Sequence, residues 1–550
     1  MIRRIRSLVA ASAVALLVVT GFVSSGSPAA HADSWAPISG TGSTWSQNAL
    51  DQWRRNVGEN YGMTVNYSGV GSSAGRRDFI NGTVDFAISE IPFQSNPEDG
   101  SQPEVPGTGY AYMPIVAGGT AFMYNLKIGG KRVTNLRLSG AVITKIFTGA
   151  ITKWNDPAIQ ADNPGLAMPD RSIVPVVRSD GSGSSAQFTL WMSKQHGDIW
   201  TRGLTSQFPT PPNGKAQNGS LGVAGYVSQD YGEGAITYVE YSYAVKSGFP
   251  VAKVLNAAGY YIEPTAPSVA VALLQAQINN DSSSPDYLTQ ILDGVYNNGD
   301  PRTYPLSSYS YLIVPTQVAG IFTAEKGRTL GGFAEYVLCE GQQSATALGY
   351  SPLPMNLVLA GSEQLKRIPG ANANGVDINK CNNPTFKPGD SPSNNQLAVS
   401  APAPADCDKQ GPNQCTSGTA GSAGTDTPVT GSGSGGSSAE AGGASGGAAG
   451  GAAAGGSGGA AAGGSADAPA AAGGDAVYDA NGNLVSGSAV AGSGGGGVAA
   501  AAVSSPFTLA QDGWKAPQWL MLAAALLLLA AIVLPPLSFR RTRSTRAGRR

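Results

Sequence analysis

Three short glycine-serine turns carry the residues with chemistry to offer: Gly40-Thr41-Gly42-Ser43-Thr44-Trp45, Gly69-Val70-Gly71-Ser72-Ser73-Ala74-Gly75 and Asp180-Gly181-Ser182-Gly183-Ser184-Ser185. The last two each follow a β-rich segment, and a helical pattern follows all three. Glycine lets backbone N–H groups approach a ligand, while Ser or Thr at a helix start adds a hydroxyl donor beside the positive end of the helix dipole. One such turn reads equally well as an ordinary N-cap. Three of them, with Arg178 two residues ahead of the third, point to a joint anion site, because arginine presents a fixed planar fork to a tetrahedral oxyanion.

Two other chemistries share these letters. Gly69-x-Gly71-x-x-Ala74 and Gly181-x-Gly183-x-x-Ala186 follow the loose dinucleotide spacing with alanine in the third glycine position. What they share with that motif is only anion binding at a helix N-terminus, and an exported chain meets little nicotinamide cofactor. Gly71-Ser72-Ser73-Ala74-Gly75 also spells a nucleophile elbow centred on Ser73. A serine hydrolase built on it would need His196, the single histidine left once an N-terminal leader is removed. His196 lies in Lys194-Gln195-His196-Gly197-Asp198, which reads as a helix end with a glycine stop.

The turns need elements to position them. Segments 64–67, 84–88 and 173–177 are β-rich and alternate with helical patterns, which predicts an α/β architecture. Trp45, Ala49, Trp53 and Val57 recur every fourth residue, and Phe188, Trp191, Met192 and Gln195 follow helical spacing; both series read as core-facing stripes.

Composition bounds the rest. The chain has 550 residues, 35 basic and 36 acidic, a balance that argues against a broadly basic nucleic-acid binder; with two histidines it also offers little for a metal site. Arg3, Arg4 and Arg6 precede an uncharged apolar run at 8–23, and Ala30-His31-Ala32 reads as a signal-peptidase site, so 1–32 is expected to be a signal peptide. Residues 519–537 carry no charge and are followed by Arg540, Arg541, Arg543, Arg546, Arg549 and Arg550. A helix needs about 20 apolar residues to cross a bilayer, and positive residues stay cytoplasmic, so we expect a single transmembrane helix at 517–537, a basic cytoplasmic tail at 538–550 and everything before them outside. Within 431–470, 37 of 40 residues are Gly, Ala or Ser, which cannot bury a core. We therefore expect a polar, then Gly/Ala/Ser-rich flexible linker over 376–506. Four cysteines without CxxC spacing predict structural cystines in an oxidising exterior; short-range closure favours Cys407 with Cys415, leaving Cys339 for Cys381.

The turns then fall into a longer series: Val65-Asn66-Tyr67 before the second; Thr83-Val84-Asp85-Phe86-Ala87; Leu138-Ser139-Gly140 with Ile146-Phe147-Thr148-Gly149 and Lys153-Trp154-Asn155-Asp156; Arg178-Ser179-Asp180-Gly181-Ser182-Gly183; and Gly225-Tyr226-Val227 with Tyr238-Val239-Glu240. In that order and spacing, over roughly 38–368, the chain resembles the phosphate-binding proteins of ABC-type phosphate importers, members of the type II periplasmic-binding-protein fold. The resemblance implies a head at 33–375 made of two α/β lobes, the first over about 35–120 and 306–370 and the second over about 121–305, with phosphate between them. Carried over, it implies that Thr44, the Trp45 backbone N–H, Ser72, Arg178, Ser182, Gly183 and Ser184 contact phosphate and that Asp180 orients Arg178. Trp45 replaces the family's usual Phe, Ser184 its Thr, and Glu90 the Asp that accepts the phosphate proton. The implied function is an extracytoplasmic solute-binding protein, not an enzyme, without cofactor or metal, whose partners are phosphate, an importer permease and the membrane. The alternatives are a surface sensor, scaffold or adhesin with a degenerate site, and the Ser73 hydrolase.

Overall fold

A computed structural model of the protein describes residues 35–427 and the short strands Val477–Tyr478 and Leu484–Ser486. The expected signal peptide, transmembrane helix and basic tail lie outside the described residues, as does most of the linker. Among the described residues no helix is long and apolar enough to cross a membrane. The strands at 477–478 and 484–486 pair antiparallel within a separate unit spanning 454–550.

The head opens with β1 (Ile38–Gly42), α1 (Gln47–Tyr61), β2 (Val65–Ser68), α2 (Ser72–Ile80), β3 (Phe86–Ser89) and the long β4 (Tyr110–Tyr124). The fourth-residue stripe of α1 faces inward, with Ala49, Trp53 and Val57 buried, and Gly62 ends the helix in the left-handed conformation. Next come β5 (Val174–Arg178), α3 (Gly183–Gln195), β6 (Lys215–Gln217), α4 (Gly219–Ser228), β7 (Ala235–Glu240), α5 (Tyr241–Ser247), β8 (Val251–Leu255), α6 (Ala266–Leu273), β9 (Ser307–Pro315) and α7 (Ala324–Leu338).

The strands join one sheet in the order β2-β1-β3-β9-β4-β7-β5-β6, with β8 also on β4. Parallel pairing of β1 with β2 and β3 builds one lobe, and parallel pairing of β5 with β7 and β6 builds the other. β4 serves both: its residues up to Gly119 pair with β9, and from Thr120 onward they pair with β7. The Thr120 N–H donates to Leu306 O at 3.1 Å, so the two crossing strands are bonded where they pass between lobes. The result is the two-lobed α/β arrangement that the family resemblance implies. In such sheets ligands lie beyond the carboxyl ends of parallel strands, and that is where the glycine-serine turns sit.

Residues 376–427 depart from the expected linker, because they are packed on the head. Cys381 is joined to Cys339 at the end of α7, and Asn383 Nδ2 donates to Leu338 O and Leu353 O, at 3.3 and 3.1 Å. The segment then passes to the other lobe. Gln396 N–H donates to Thr385 O, α8 (Gln396–Val399) lays Ala398 against Ala270 and Val271 of α6, and Arg302 Nη1 donates to Ala398 O and Ala401 O. Beyond it, Lys253 meets Asp408 at 2.7 Å, and the buried Arg137 donates to Cys407 O and Asn413 O beside the ring of Tyr261. Thr134 N–H donates to Thr427 Oγ1 at 2.8 Å. The segment's polar composition hides this packing: the strap is held by side-chain hydrogen bonds to backbone, by the Cys339–Cys381 cystine and by a few buried apolar residues, Val376, Phe386, Ala398 and Ala420 among them.

The structure pairs Cys339 with Cys381 and Cys407 with Cys415, leaving no free cysteine among the described residues. Cys407 and Cys415 are 8 residues apart, and closing so short a loop restricts the unfolded chain by about 2–3 kcal/mol. Replacing both by serine should lower the unfolding free energy by about that amount in a denaturant titration. Limited proteolysis of the native protein should leave 376–427 attached to the head and cut first beyond Thr427; an early cut inside 386–415 would contradict the packed strap.

Candidate anion-binding site

Successive strand ends deliver the polar groups. β1 leads to Thr44, β2 to Ser72, β3 to Glu90, β5 ends on Arg178 and leads to Ser184, and β6 leads to Ser220. From β9, Ser310 reaches the same place from the crossing strand. The lobes are closed on each other here: Ser73 N–H donates to Gly181 O at 3.1 Å, Gly183 N–H to Ser72 Oγ at 3.1 Å, and Ser220 N–H to Thr44 Oγ1 at 3.0 Å. Across the mouth, Glu98 accepts from Leu204 N–H and Asp99 from Thr205 Oγ1, in a loop tied down by the Arg76–Glu104 pair at 2.6 Å.

Arg178 is buried and held as a two-pronged donor. Its Nε donates to Asp180 Oδ1 at 2.8 Å, Nη2 donates to Asp180 Oδ2, and Nη1 lies 3.4 Å from Ser220 Oγ. Asp180 also accepts Gly219 N–H at 2.9 Å. Burial works to raise its carboxyl, but the arginine fork and this backbone donor prevail and hold it below the ordinary aspartate value. Gly71, with φ of 94°, lies against the same carboxylate, and a Cβ there would sit 2.5 Å from Asp180 Oδ2.

Glu90 is fully buried. Ser72 Oγ donates to Oε2 and Ser310 Oγ to Oε1, each at 2.9 Å. Burial raises its carboxyl above the ordinary glutamate value, against the opposing pull of Ser43, Ser72, Ser310 and Arg178. The side chain reaches the facing lobe: a Cβ on Gly183 would lie 1.9 Å from Glu90 Oε2, so glycine at 183 is what admits glutamate at 90.

The remaining expected residues divide. Ser184 Oγ is buried without a hydrogen-bond partner. A stranded hydroxyl costs about 1–3 kcal/mol, which an acceptor in the cleft would offset. The Ser182 hydroxyl accepts Ser185 N–H at 3.3 Å as the N-cap of α3, and Trp45 N–H donates to Ser43 Oγ at 2.9 Å. Sequence reasoning missed Ser43, Ser220 and Ser310. For Ser220 a signal existed, since Asn218-Gly219-Ser220 is a fourth glycine-serine turn between a strand and a helix. For Ser310 none did, because a strand serine reaches the site only through the crossing of β9.

The hydrolase alternative is not supported. Ser73 Oγ accepts from Arg76 Nη2 at 3.3 Å, while His196 stands at the far end of α3, edge-on to Trp191. Thirteen helical residues rise about 20 Å, which separates that imidazole from the turn at Gly181 that touches Ser73. Among the described residues no group of three or more His, Cys, Asp or Glu could hold a metal ion.

A family profile described as the PBP superfamily domain matches residues 27–340. A phosphate-binding protein PstS of Xylella fastidiosa is 32% identical over 335 residues, covering 60% of this chain and 85% of the relative. Phosphate-binding protein PstS 2 of Mycobacterium tuberculosis is 31% identical over 361 residues, covering 63% and 93%. Among solved structures, a high-affinity periplasmic phosphate-binding protein, PfluDING, bound with phosphate, aligns with a TM-score of 0.47 at 21% identity, over 59% of this chain and 92% of that one.

The raised Glu90 carboxyl has a measurable consequence. As pH climbs above the ordinary value of 4.5, the folded protein keeps a proton on Glu90 that the unfolded chain has released. Stability from this group therefore falls with rising pH until the raised value is passed. Thermal melts of ligand-free protein should fall less steeply over that window in Glu90→Gln than in wild type; parallel curves would mean that the folded state does not hold that proton.

Proposed function

Since the chain belongs to the PstS family of phosphate-binding proteins, within the PBP superfamily, we propose that it captures inorganic phosphate between its two lobes and presents it to the permease of an ABC-type importer. The observation that carries this reading is the meeting of buried polar groups from both lobes, Thr44 and Ser72 from the first with Ser220 and Gly183 from the second, beside the buried Arg178 and the unpartnered Ser184 hydroxyl. Nothing in such a site needs a nucleophile. Binding shifts the lobes toward the closed state because the anion touches both only there.

Glu90 supplies the selectivity in this reading. Phosphate near neutral pH always carries at least one proton, which an ionised Glu90 accepts, whereas sulfate carries none and is accepted only where Glu90 itself holds the proton. The reading also gives the chain a cleaved signal peptide at 1–32, a tether running from the end of the strap to about residue 506, a single membrane helix at 517–537 and a cytoplasmic tail at 538–550. About 80 residues of such a tether have an r.m.s. span of about 50 Å, enough to lift the head clear of the bilayer. The uncharged run and its six following arginines support that topology.

Calorimetric titration of wild type should show phosphate preferred over sulfate, by up to about 10⁴-fold where the site is built around the shared proton. Glu90→Gln should narrow the preference, because an amide can donate to sulfate. Arg178→Ala should weaken both anions by at least about thirtyfold, or ~2 kcal/mol, because it removes the buried cation and leaves Asp180 unpaired. Equal wild-type affinity for the two anions would remove Glu90 from this role. For the topology, protease added to protoplasts should release a soluble head by cutting between 428 and 506; a C-terminal tail digested from outside would reverse the orientation.

A further inference from the structure

We infer that Ser220 is a positioning residue that sets the Thr44 hydroxyl as a donor and thereby fixes which way a bound phosphate is turned. This rests on the phosphate reading above and extends it to the orientation of the anion. Thr44 Oγ1 has one proton and two lone pairs. Ser220 meets it twice, donating its N–H at 3.0 Å and placing Oγ at 2.8 Å. Ser220 Oγ in turn lies 3.4 Å from Arg178 Nη1, which has only protons to give. With arginine donating to its oxygen, Ser220 can pass its own proton to Thr44. Both Thr44 lone pairs are then used, and its remaining function is to donate.

An anionic oxygen at Thr44 selects this arrangement, since the reverse one would turn a lone pair toward negative charge. The line Arg178 to Ser220 to Thr44 is a chain of donors that starts on a cation, and each bond polarises the next. The Thr44 corner therefore takes an unprotonated oxygen, and the P–OH of hydrogen phosphate is directed to the Glu90 corner. Ser220 is fully buried, and its turn is pinned by Gly219 N–H to Asp180, the residue that also holds Arg178. Thr44 and Ser220 belong to different lobes, so this chain of donors is complete only when the lobes are closed.

The test uses purified wild type, Ser220→Ala and Ser220→Thr, with inorganic phosphate as the probe. Stopped-flow release and calorimetry are run on both the acid and the alkaline side of neutrality. In Ser220→Ala, phosphate release should accelerate roughly tenfold with association nearly unchanged. Its affinity should also shift several-fold toward the acid side relative to wild type, because an unconstrained Thr44 can accept from a second P–OH. Ser220→Thr, which keeps the hydroxyl, should restore both. An unaltered release rate in Ser220→Ala would overturn the inference. So would weakening by the same factor on both sides of neutrality, or a threonine variant that behaves like alanine, since either would mark Ser220 as a packing contact only. Failure of wild type to bind phosphate would instead sink the functional reading on which the inference rests.

Discussion

An anion taken out of water between two lobes must be met by donors already fixed in place, and the architecture of the head follows from that demand. Burying charge without compensation costs far more than a fold of marginal stability can bear. The chain meets it by ending parallel strands at one edge and turning each into a helix start, so that hydroxyl and backbone donors converge with the helix dipoles behind them. The Arg178–Asp180 pair shows why one cation is not enough by itself. Without Asp180 the guanidinium would be free to rotate, and with it two prongs are spoken for while Nη1 turns to Ser220.

Closure has to be reversible, and the crossing strands make it so. β4 and β9 carry the sheet from one lobe to the other, with the partner change at Gly119 and Thr120. The strap adds a third passage between lobes, stapled to one through Cys339–Cys381 and sewn to the other from α8 to Thr427. Its crossing point is narrow, because Gln396 N–H bonds to Thr385 O where one anchored stretch gives way to the next. A hinge with three strands of chain across it has fewer ways to open than one with two, which lowers the conformational entropy lost on closing.

Most of the fold and of the site was legible in local pattern. The α1 stripe of Ala49, Trp53 and Val57, the β-rich runs and the three glycine-serine turns each announce themselves within a few residues, and the structure puts them where those patterns imply. What was not legible is long-range. Ser310 is 220 residues from Glu90 and looks like any strand serine. The strap reads as linker because its side chains are polar, and only the three-dimensional match of Asp408 to Lys253, or of Arg137 to a ring of carbonyls, reveals that it is bound. Its cysteines were the one local clue, since a freely flexible tether has no use for two cystines.

Glu90 shows how a change at one position depends on the facing lobe. A glutamate carboxyl extends one methylene further than aspartate, and here that reach ends against Gly183, where any side chain would collide with it. The same glycine supplies a backbone N–H to Ser72, whose hydroxyl donates to Glu90, so acid, serine and glycine form one closed circuit across the cleft. Such a circuit does two things at once. It fixes the orientation of the carboxylate, and it ties the acid's environment, and so its hold on a proton, to whether the lobes are shut. Proton affinity and closure are therefore linked through the same three residues.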